Sequence, residues 1–550
     1  MDKHGLKHDI EQISEQLPLL GTDIDLCSKE VLDIEIFPNR PDLLSGETLA
    51  RAIRPFLHNS QALPELDVIK GEITMVVEPE LEEIRPVILG AIVRGVDLEN
   101  SSEELDSFIK CLMDHQEKLH FALGRGRKRA SIGVHDLSTL SPPFRVKAVS
   151  GDTKFIPLAM DREMSIIEIL QEHPKGIDYA HLVDGFQKYP VIVDSNDAIL
   201  SFPPIINGNH TTVNHGTRDF FIDVTGWDQR SCEACLMLIA SQLSERGGQI
   251  ESVNVTGFDG QIKDYPDGNP ITHEVPTKLL DGLLGRKLTD DEISYSINRM
   301  GGRFISRNNE TSISIEMPRW RFDILHPVDL IEDIAIGHGY EDLGSDIPRS
   351  PMTAIPRPDA HLRRRIRDSM QGLGFIQIQS LTLSNDDDQF NFMRWSSVGE
   401  VTRITNPITI DHTLLRQYLI PGLLRLLATN RHHDLPQSVY ELGTVVRDHK
   451  NSDRIAFIVA ERSGGFAAVR GRVQAFMRDL GAIDYSIEKL PENDGPWLTG
   501  RSAKVMIGDT QIGCFGEIDP VISEKFDLRV PINGAEFSLN QLEKVISDPV

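Results

Sequence analysis

The period of the apolar positions changes from segment to segment, and the changes divide the chain into modules. Ile10, Ile13 and Leu17 recur at helical spacing over residues 9–17 and stop at Pro18. Leu32, Ile34 and Ile36 then alternate with Asp33 and Glu35, the pattern of a half-buried strand. After Phe37-Pro-Asn-Arg-Pro-Asp42, the positions Leu49, Ile53 and Phe56 stripe another helix, completing a small α/β module over 1–85. Residues 86–265 read as a mixed α+β unit. An amphipathic helix covers 105–123, and a helix over 231–244 carries Cys232, Cys235, Leu236, Ile239 and Leu243 on one stripe. Apolar strands include Ile132-Gly-Val-His135-Asp, Tyr189-Pro-Val-Ile-Val-Asp194, a stretch ending at Asn207, and Phe221-Ile-Asp-Val-Thr225.

Over 268–345 the pattern sharpens. Thr289-Asp-Asp-Glu292 has the form of a capping box, and Ile293, Ile297 and Met300 stripe the helix it opens. Two short strands flank Asn308-Asn309 as a hairpin with Ile313, Ile315 and Met317 on one face. Two helices and a hairpin predict a winged-helix-like module. Pro348, Pro351, Pro356 and Pro358 mark a linker. The last unit, 355–550, opens with a helix bearing Leu362, Ile366, Met370 and Leu373. The expected fold class is multidomain α+β.

Composition adds limits. The 550 residues exceed a single core, and 40% hydrophobic with 25% charged residues is ordinary for a soluble globular protein. No run of 18 apolar residues predicts a membrane span, and the first ten residues hold no apolar segment of a signal peptide, which predicts a cytoplasmic location. Five cysteines make no disulfide framework, so Cys232 and Cys235 are expected as buried small hydrophobes. A net charge of −26 argues against nucleic-acid binding by the whole surface. It leaves room for a local basic patch, or for a partner chain that supplies the phosphate contacts. Arg125, Arg127, Lys128 and Arg129 form the most basic short run and are candidate nucleic-acid phosphate contacts, with a solvated loop as the alternative.

The densest chemistry lies in Pro318-Arg-Trp-Arg-Phe-Asp323 and Pro327-Val-Asp329-Leu-Ile-Glu332-Asp333. Pro327 suits the first helical position, because its missing N–H has no partner to lose there. A helix from Pro327 puts Asp329, Glu332 and Asp333 at i, i+3 and i+4, and Asp323 lies just before the turn. Four like charges this close need a compensating cation, and hard oxygen donors favour magnesium. Acids in a first helical turn also complement the helix dipole, which is the alternative. The corner faintly repeats Pro38-Asn-Arg-Pro-Asp42.

These strings closely resemble signatures of the phenylalanyl-tRNA synthetase β-subunit family, in its archaeal and eukaryotic form. The corner with Asp-Leu-Ile-Glu-Asp-Ile-Ala-Ile-Gly-His-Gly-Tyr resembles the family's magnesium motif. The resemblance implies that Asp323, Asp329, Glu332 and Asp333 hold Mg2+ shared with an α subunit. Phe-Pro-Asn-Arg-Pro-Asp resembles the opening module, and Gly-Val-His-Asp with Phe-Pro-Pro-Ile-Ile-Asn resembles the editing domain. The last unit resembles a class II synthetase domain, whose adenylation chemistry needs two arginines to clamp ATP phosphates. The corresponding stretches here, Val-Tyr-Glu441-Leu-Gly and Asn533-Gly-Ala-Glu-Phe-Ser-Leu, hold none. A class II-like, non-catalytic domain is expected.

The implied assembly is an (αβ)₂ phenylalanine–tRNA ligase that charges tRNA(Phe), with ATP bound on the α subunit. It would also hydrolyse mischarged tyrosyl-tRNA(Phe) on this chain. His135, Asp194 and Asn207 each end or follow an apolar strand and are the editing candidates, with satisfaction of loop backbone as the alternative. Two rival classes are a freestanding aminoacyl-tRNA deacylase and a winged-helix regulator. The non-catalytic class II-like unit speaks against the first, and the acidic balance against the second.

Overall fold

Alternation of side chains across strands decides where the main cores lie. The computed structural model describes residues 9–58, 60–98, 101–308, 311–344, 353–482, 484–491 and 494–546. Asn309, Pro348 and Pro351 of the expected turn and linker lie outside the described residues. The chain forms two compact units, Met1–Pro348 and Arg349–Val550, so the first three expected modules share one unit. Both units mix helices with sheets, a multidomain α+β architecture. Among the described residues no helix is long and apolar enough to cross a membrane.

An eleven-stranded sheet dominates the first unit. In its strand Phe220–Gly226, Phe220, Ile222 and Val224 face one core and Phe221 the other. The helices Ser102–Ala122 and Gln229–Ser244 cover the first face through residues such as Phe108, Leu112 and Leu236. Cys232 and Cys235 join that core as expected, and burial pushes the Cys232 thiol up to about 12. Met75, Phe144, Val146 and Ile192 fill the other face. Strand Phe220–Gly226 pairs antiparallel with Ala130–Asp136, setting Asp223 opposite Gly133 and Phe221 opposite His135. Ala130–Asp136 is the last strand in the sheet order, and its outer edge meets no strand among the described residues.

The predicted short elements at the amino-terminal end are present. Asp9 caps the helix Ile10–Gln16, and Thr22–Cys27 pairs with Leu32–Ile36. Thr289 and Glu292 form the reciprocal capping box that opens helix Asp290–Arg299. The hairpin Arg303–Asn308 with Ser312–Met317 gains a third strand, Ile271–Pro276, followed by helix Thr277–Leu284. Met300 and Ile336 from this module share a core with Ile13, Leu17 and Phe56. That shared core is why the expected modules do not separate.

The second unit carries a seven-stranded sheet, antiparallel except where Ile376–Gln377 runs parallel to Gln437–Arg447. Helices Ala360–Gly372 and Phe466–Asp479 pack on one face through Leu362, Ile366, Met370 and Phe476. Helix Ile420–Thr429 packs on the other.

Candidate functional site

An edge strand leaves backbone groups that neighbours must satisfy. Along Ala130–Asp136 the work is done by side chains. Gln116 donates to the Ile132 carbonyl at 2.6 Å, and Asn207 Nδ2 reaches the Val134 carbonyl at 3.5 Å. Between helix Ser102–Ala122, this edge and residues 201–213 lies a cleft of about 300 Å³. Its walls are largely apolar, with Ile109, Met113, Val134, Phe202 and Val213 among them. Two groups of polar side chains interrupt those walls.

One group is at the mouth. Arg127 Nη2 pairs with Glu117 at 2.6 Å, Lys175 stands 3.8 Å from the same carboxylate, and both acid and lysine are about half exposed. The other group is enclosed. Asp223 is 1% exposed yet lines the cleft, beside Ser201, Asn207 and Gly133. Its Oδ2 meets His135 Nε2 at 2.7 Å, and His135 Nδ1 meets Thr211 Oγ1 at 2.8 Å. Oδ1 has no partner among the described residues. Beneath the strands, buried Arg85 donates to the Thr225 carbonyl at 2.8 Å, to Ser131 at 3.0 Å and to the Arg127 carbonyl at 3.1 Å. Burial pushes its guanidinium down to about 10.

The three editing candidates separate here. Asn207 lines the cleft. His135 lies behind it, fully buried, and enters only through Asp223. Asp194 does not line the cleft. Its Oδ1 accepts the Asn196 and Ala198 amides at 2.9 and 3.0 Å, so this carboxylate builds a turn. Asp223, Gln116 and Glu117 were missed. The signal for Asp223 was available: a lone carboxylate inside the apolar run Phe220–Gly226.

Arg127 also needs correction as a phosphate contact. Its side chain turns inward, donating to the Ile205 carbonyl at 3.0 Å and stacking over Tyr179 at 4.2 Å. It ties the wall of the cleft together. Arg125, Lys128 and Arg129 remain exposed on the same turn.

At the carboxylate corner the helix begins at Pro327 as expected. The compensating cation, however, is Arg321. It forks onto Asp323 at 2.9 Å (Nε) and 2.6 Å (Nη2), and Nη2 also meets Asp333 at 2.8 and 3.0 Å. Asp329 Oδ2 accepts the Leu325 and His326 amides, both at 2.7 Å, which closes the helix start. Glu332 is exposed. Among the described residues no three His, Cys, Asp or Glu side chains gather as a metal site. In the chain by itself the four carboxylates therefore do not converge on one point. Asp323 and Asp333 are neutralised internally, and only Glu332 and the outer oxygen of Asp329 remain free.

The faint repeat is geometrically close. Arg40 forks onto Asp42 at 2.8 Å through both Nε and Nη2, and its Nη1 donates to the Leu20 carbonyl at 2.8 Å. Arg321 makes the same fork to Asp323 and gives its Nη1 to the Met300 carbonyl at 3.1 Å.

In the second unit, the two stretches without arginines carry buried glutamates already paired. Glu441 meets Arg416 and Ser380, each at 2.7 Å. Glu536 pairs with Arg454 and accepts the Leu419 and Ile420 amides at 3.1 and 3.2 Å.

Comparison with known proteins agrees along the chain. Residues 84–256 match the B3/4 domain model, 273–340 the tRNA synthetase B5 domain, and 343–539 the phenylalanyl tRNA synthetase beta chain CLM domain. The phenylalanine–tRNA ligase beta subunit of Methanothrix thermoacetophila is 40% identical over 533 residues, 96% of each chain. That of Archaeoglobus fulgidus is 38% identical over 97% of this chain and 95% of its own. Among solved structures, an N-terminal fragment of the phenylalanyl-tRNA synthetase beta subunit from Pyrococcus horikoshii superposes with a TM-score of 0.56 at 34% identity. It covers 61% of this chain and 96% of the fragment.

Proposed function

The chain belongs to the phenylalanine–tRNA ligase β-subunit family, and on that footing we propose that its cleft hydrolyses tyrosyl-tRNA(Phe) within a cytoplasmic (αβ)₂ enzyme. Phenylalanine activation with ATP falls to the α subunit. The second unit then has a class II-like sheet without its chemistry, since the stretches around Glu441 and Glu536 hold no arginine to clamp phosphate and both glutamates are already paired. The module around Asp290–Arg299 is read as winged-helix-like.

One observation carries the editing reading: a buried carboxylate at the closed end of an apolar cleft keeps one oxygen free. Tyrosine differs from phenylalanine by one hydroxyl, and an apolar activation pocket rejects an added hydroxyl only about a hundredfold. A hydrolytic site that demands that hydroxyl supplies the missing selectivity. Asp223 Oδ1 is the acceptor for the phenolic O–H. With phenylalanine it would lie unpaired and desolvated, which is costly. The ester then sits nearer Asn207 and Gln116, and the RNA end leaves past Glu117, Arg127 and Lys175. An aminoacyl ester is already activated, so a positioned water suffices and no strong base is required. Asn207 can orient that water or the ester carbonyl through its amide.

For magnesium, the free donors narrow the family expectation. Mg2+ keeps several waters and takes one or two carboxylates directly. Glu332 and Asp329 Oδ1 are the groups on this chain that would face an ion completed by the α subunit.

The test uses the assembled two-subunit enzyme and isolated tyrosyl-tRNA(Phe). Asn207→Ala should slow deacylation at least tenfold. Asp223→Ala should reduce the preference for tyrosyl over phenylalanyl ester by about tenfold to a hundredfold, the scale of one hydrogen bond to a charged acceptor. Normal deacylation and normal preference in both variants would move the editing site elsewhere.

A further inference from the structure

His135 was a candidate for direct chemistry, but it does not reach the cleft. It is 0% exposed and absent from the cleft wall, and both ring nitrogens are engaged. We propose that His135, anchored by Thr211, is a positioning residue that aims Asp223 at the phenolic hydroxyl and so sets which aminoacyl ester is accepted. The proposal rests on the editing reading above.

Three features support it. First, the two oxygens of Asp223 are divided: Oδ2 meets the ring at 2.7 Å, and Oδ1 is left for the cleft. A carboxylate can rotate about its last bond, and among the described residues only the ring holds this one. Second, the ring itself is fixed. Thr211 holds Nδ1 at 2.8 Å, and Phe221 stacks alongside at 5.8 Å between centroids. Thr211 in turn reaches the Gly208 carbonyl at 3.0 Å, on the loop that carries Asn207. With its proton on Nε2, the imidazole donates to the carboxylate, and the single hydroxyl hydrogen of Thr211 is directed either to Nδ1 or to the Gly208 carbonyl. Third, the carboxylate lies across Gly133. A Cβ at that position would collide with Asp223 Oδ2 and His135 Nε2. The missing side chain gives the contact its room.

A positioned acceptor matters for selection more than for rate. A hydroxyl-bearing ester pairs with Oδ1, and an ester without one leaves it unpaired only if the carboxylate cannot turn away. Freed from His135, Asp223 could swing aside, and phenylalanyl ester would be tolerated.

The experiment measures the ratio of deacylation rates for tyrosyl- and phenylalanyl-tRNA(Phe), using the assembled enzyme with each variant. His135→Leu should lower that ratio at least tenfold. His135→Gln, which can still offer an N–H near the Nε2 position, should recover most of it. Thr211→Val, which keeps the ring but removes its anchor, should give a smaller loss of the same kind. Thermal melting and co-elution with the α subunit identify any variant that fails to fold, and Thr211→Val then carries the test. A folded His135→Leu enzyme with a ratio within twofold of wild type would overturn the proposal. So would a uniform slowing of both esters, the mark of a merely structural role. A wild-type enzyme that leaves tyrosyl-tRNA(Phe) intact would overturn the editing reading beneath it, a result distinct from either.

Discussion

Asp223 and Asp333 are buried almost equally, at 1% and 4% exposure, and their neighbours put them to opposite use. Asp333 offers its oxygens to a guanidinium that also holds Asp323, and nothing is left over. Asp223 offers one oxygen to a ring behind it and turns the other toward a cleft of about 300 Å³. Burial therefore does not mark the functional acid. What marks it is an unpaired oxygen facing space that a ligand can fill. The corner is a closed ion cluster, and the cleft is an open one.

The strongest way to break this comparison is to remove the cation. Arg321→Leu leaves Asp323 and Asp333 buried beside each other without compensation. Breaking a buried pair from one side costs about 3–5 kcal/mol. Protection of the helix Pro327–His338 against hydrogen exchange should fall accordingly in the full chain. A loss below about 1 kcal/mol would mean that the corner is not held by its arginine. Asp223 variants should cost less, because His135 keeps Thr211 as a partner.

A pH series sharpens the contrast further. His115 lies on helix Ser102–Ala122, which walls the cleft, and its Nδ1 meets Gln242 Oε1 at 2.8 Å. Burial pushes its pKa down from 6.5 to about 4. The unfolded chain thus takes up this proton first, so the helix loses stability as pH falls from about 6.5 through about 4. The loss is about 3 kcal/mol. The corner behaves otherwise. Burial raises Asp323, but Arg321 outweighs it and holds the carboxyl below its ordinary 3.8, so that contribution is lost only below that value. Burial pushes Asp333 up to about 6, so its contribution grows as pH falls through that value. Between pH 7 and 4, protection in Ser102–Ala122 should drop about a hundredfold, while protection in Pro327–His338 should hold or rise. His115→Gln should abolish the drop. Parallel behaviour of the two helices would remove the distinction.

Periodicity made most elements legible. The helix from Pro327, the capping box at Thr289 and the hairpin strand Ser312–Met317 all follow from local rules, because caps, prolines and alternation act within a few residues. The strand Ile271–Pro276 and the core shared by Met300 with Ile13 were not legible, since both depend on contacts far apart in sequence. The site divided along the same line. Asn207 was reachable from its motif. Asp223 was overlooked although its string was in view, because its partner His135 is 88 positions away and only strand pairing brings them together. Counting carboxylates at the corner left out their internal cation for a related reason. Arg321, two residues before Asp323, was part of the same motif, yet only the fold shows it reaching Asp333 as well.

The smallest expected effect tests what remains of magnesium at the corner. If an ion completed by the α subunit meets this chain, the free donors are Glu332 and Asp329 Oδ1, since the other two carboxylates are held by Arg321. Glu332→Gln should leave the chain's own unfolding unchanged, because Glu332 is exposed. It should weaken association with the α subunit a few-fold at low magnesium, with partial recovery at high magnesium, on the scale of one exposed charge interaction. Asp333→Asn should instead destabilise the chain at every magnesium concentration, since it strips a partner from a buried arginine. Subunit association measured by sedimentation across a magnesium series separates the two. If magnesium rescues Asp333→Asn and not Glu332→Gln, the closed cluster opens in the assembly and Arg321 gives way to the ion. If neither variant responds to magnesium, the acids of this first helical turn serve only its dipole and its cap.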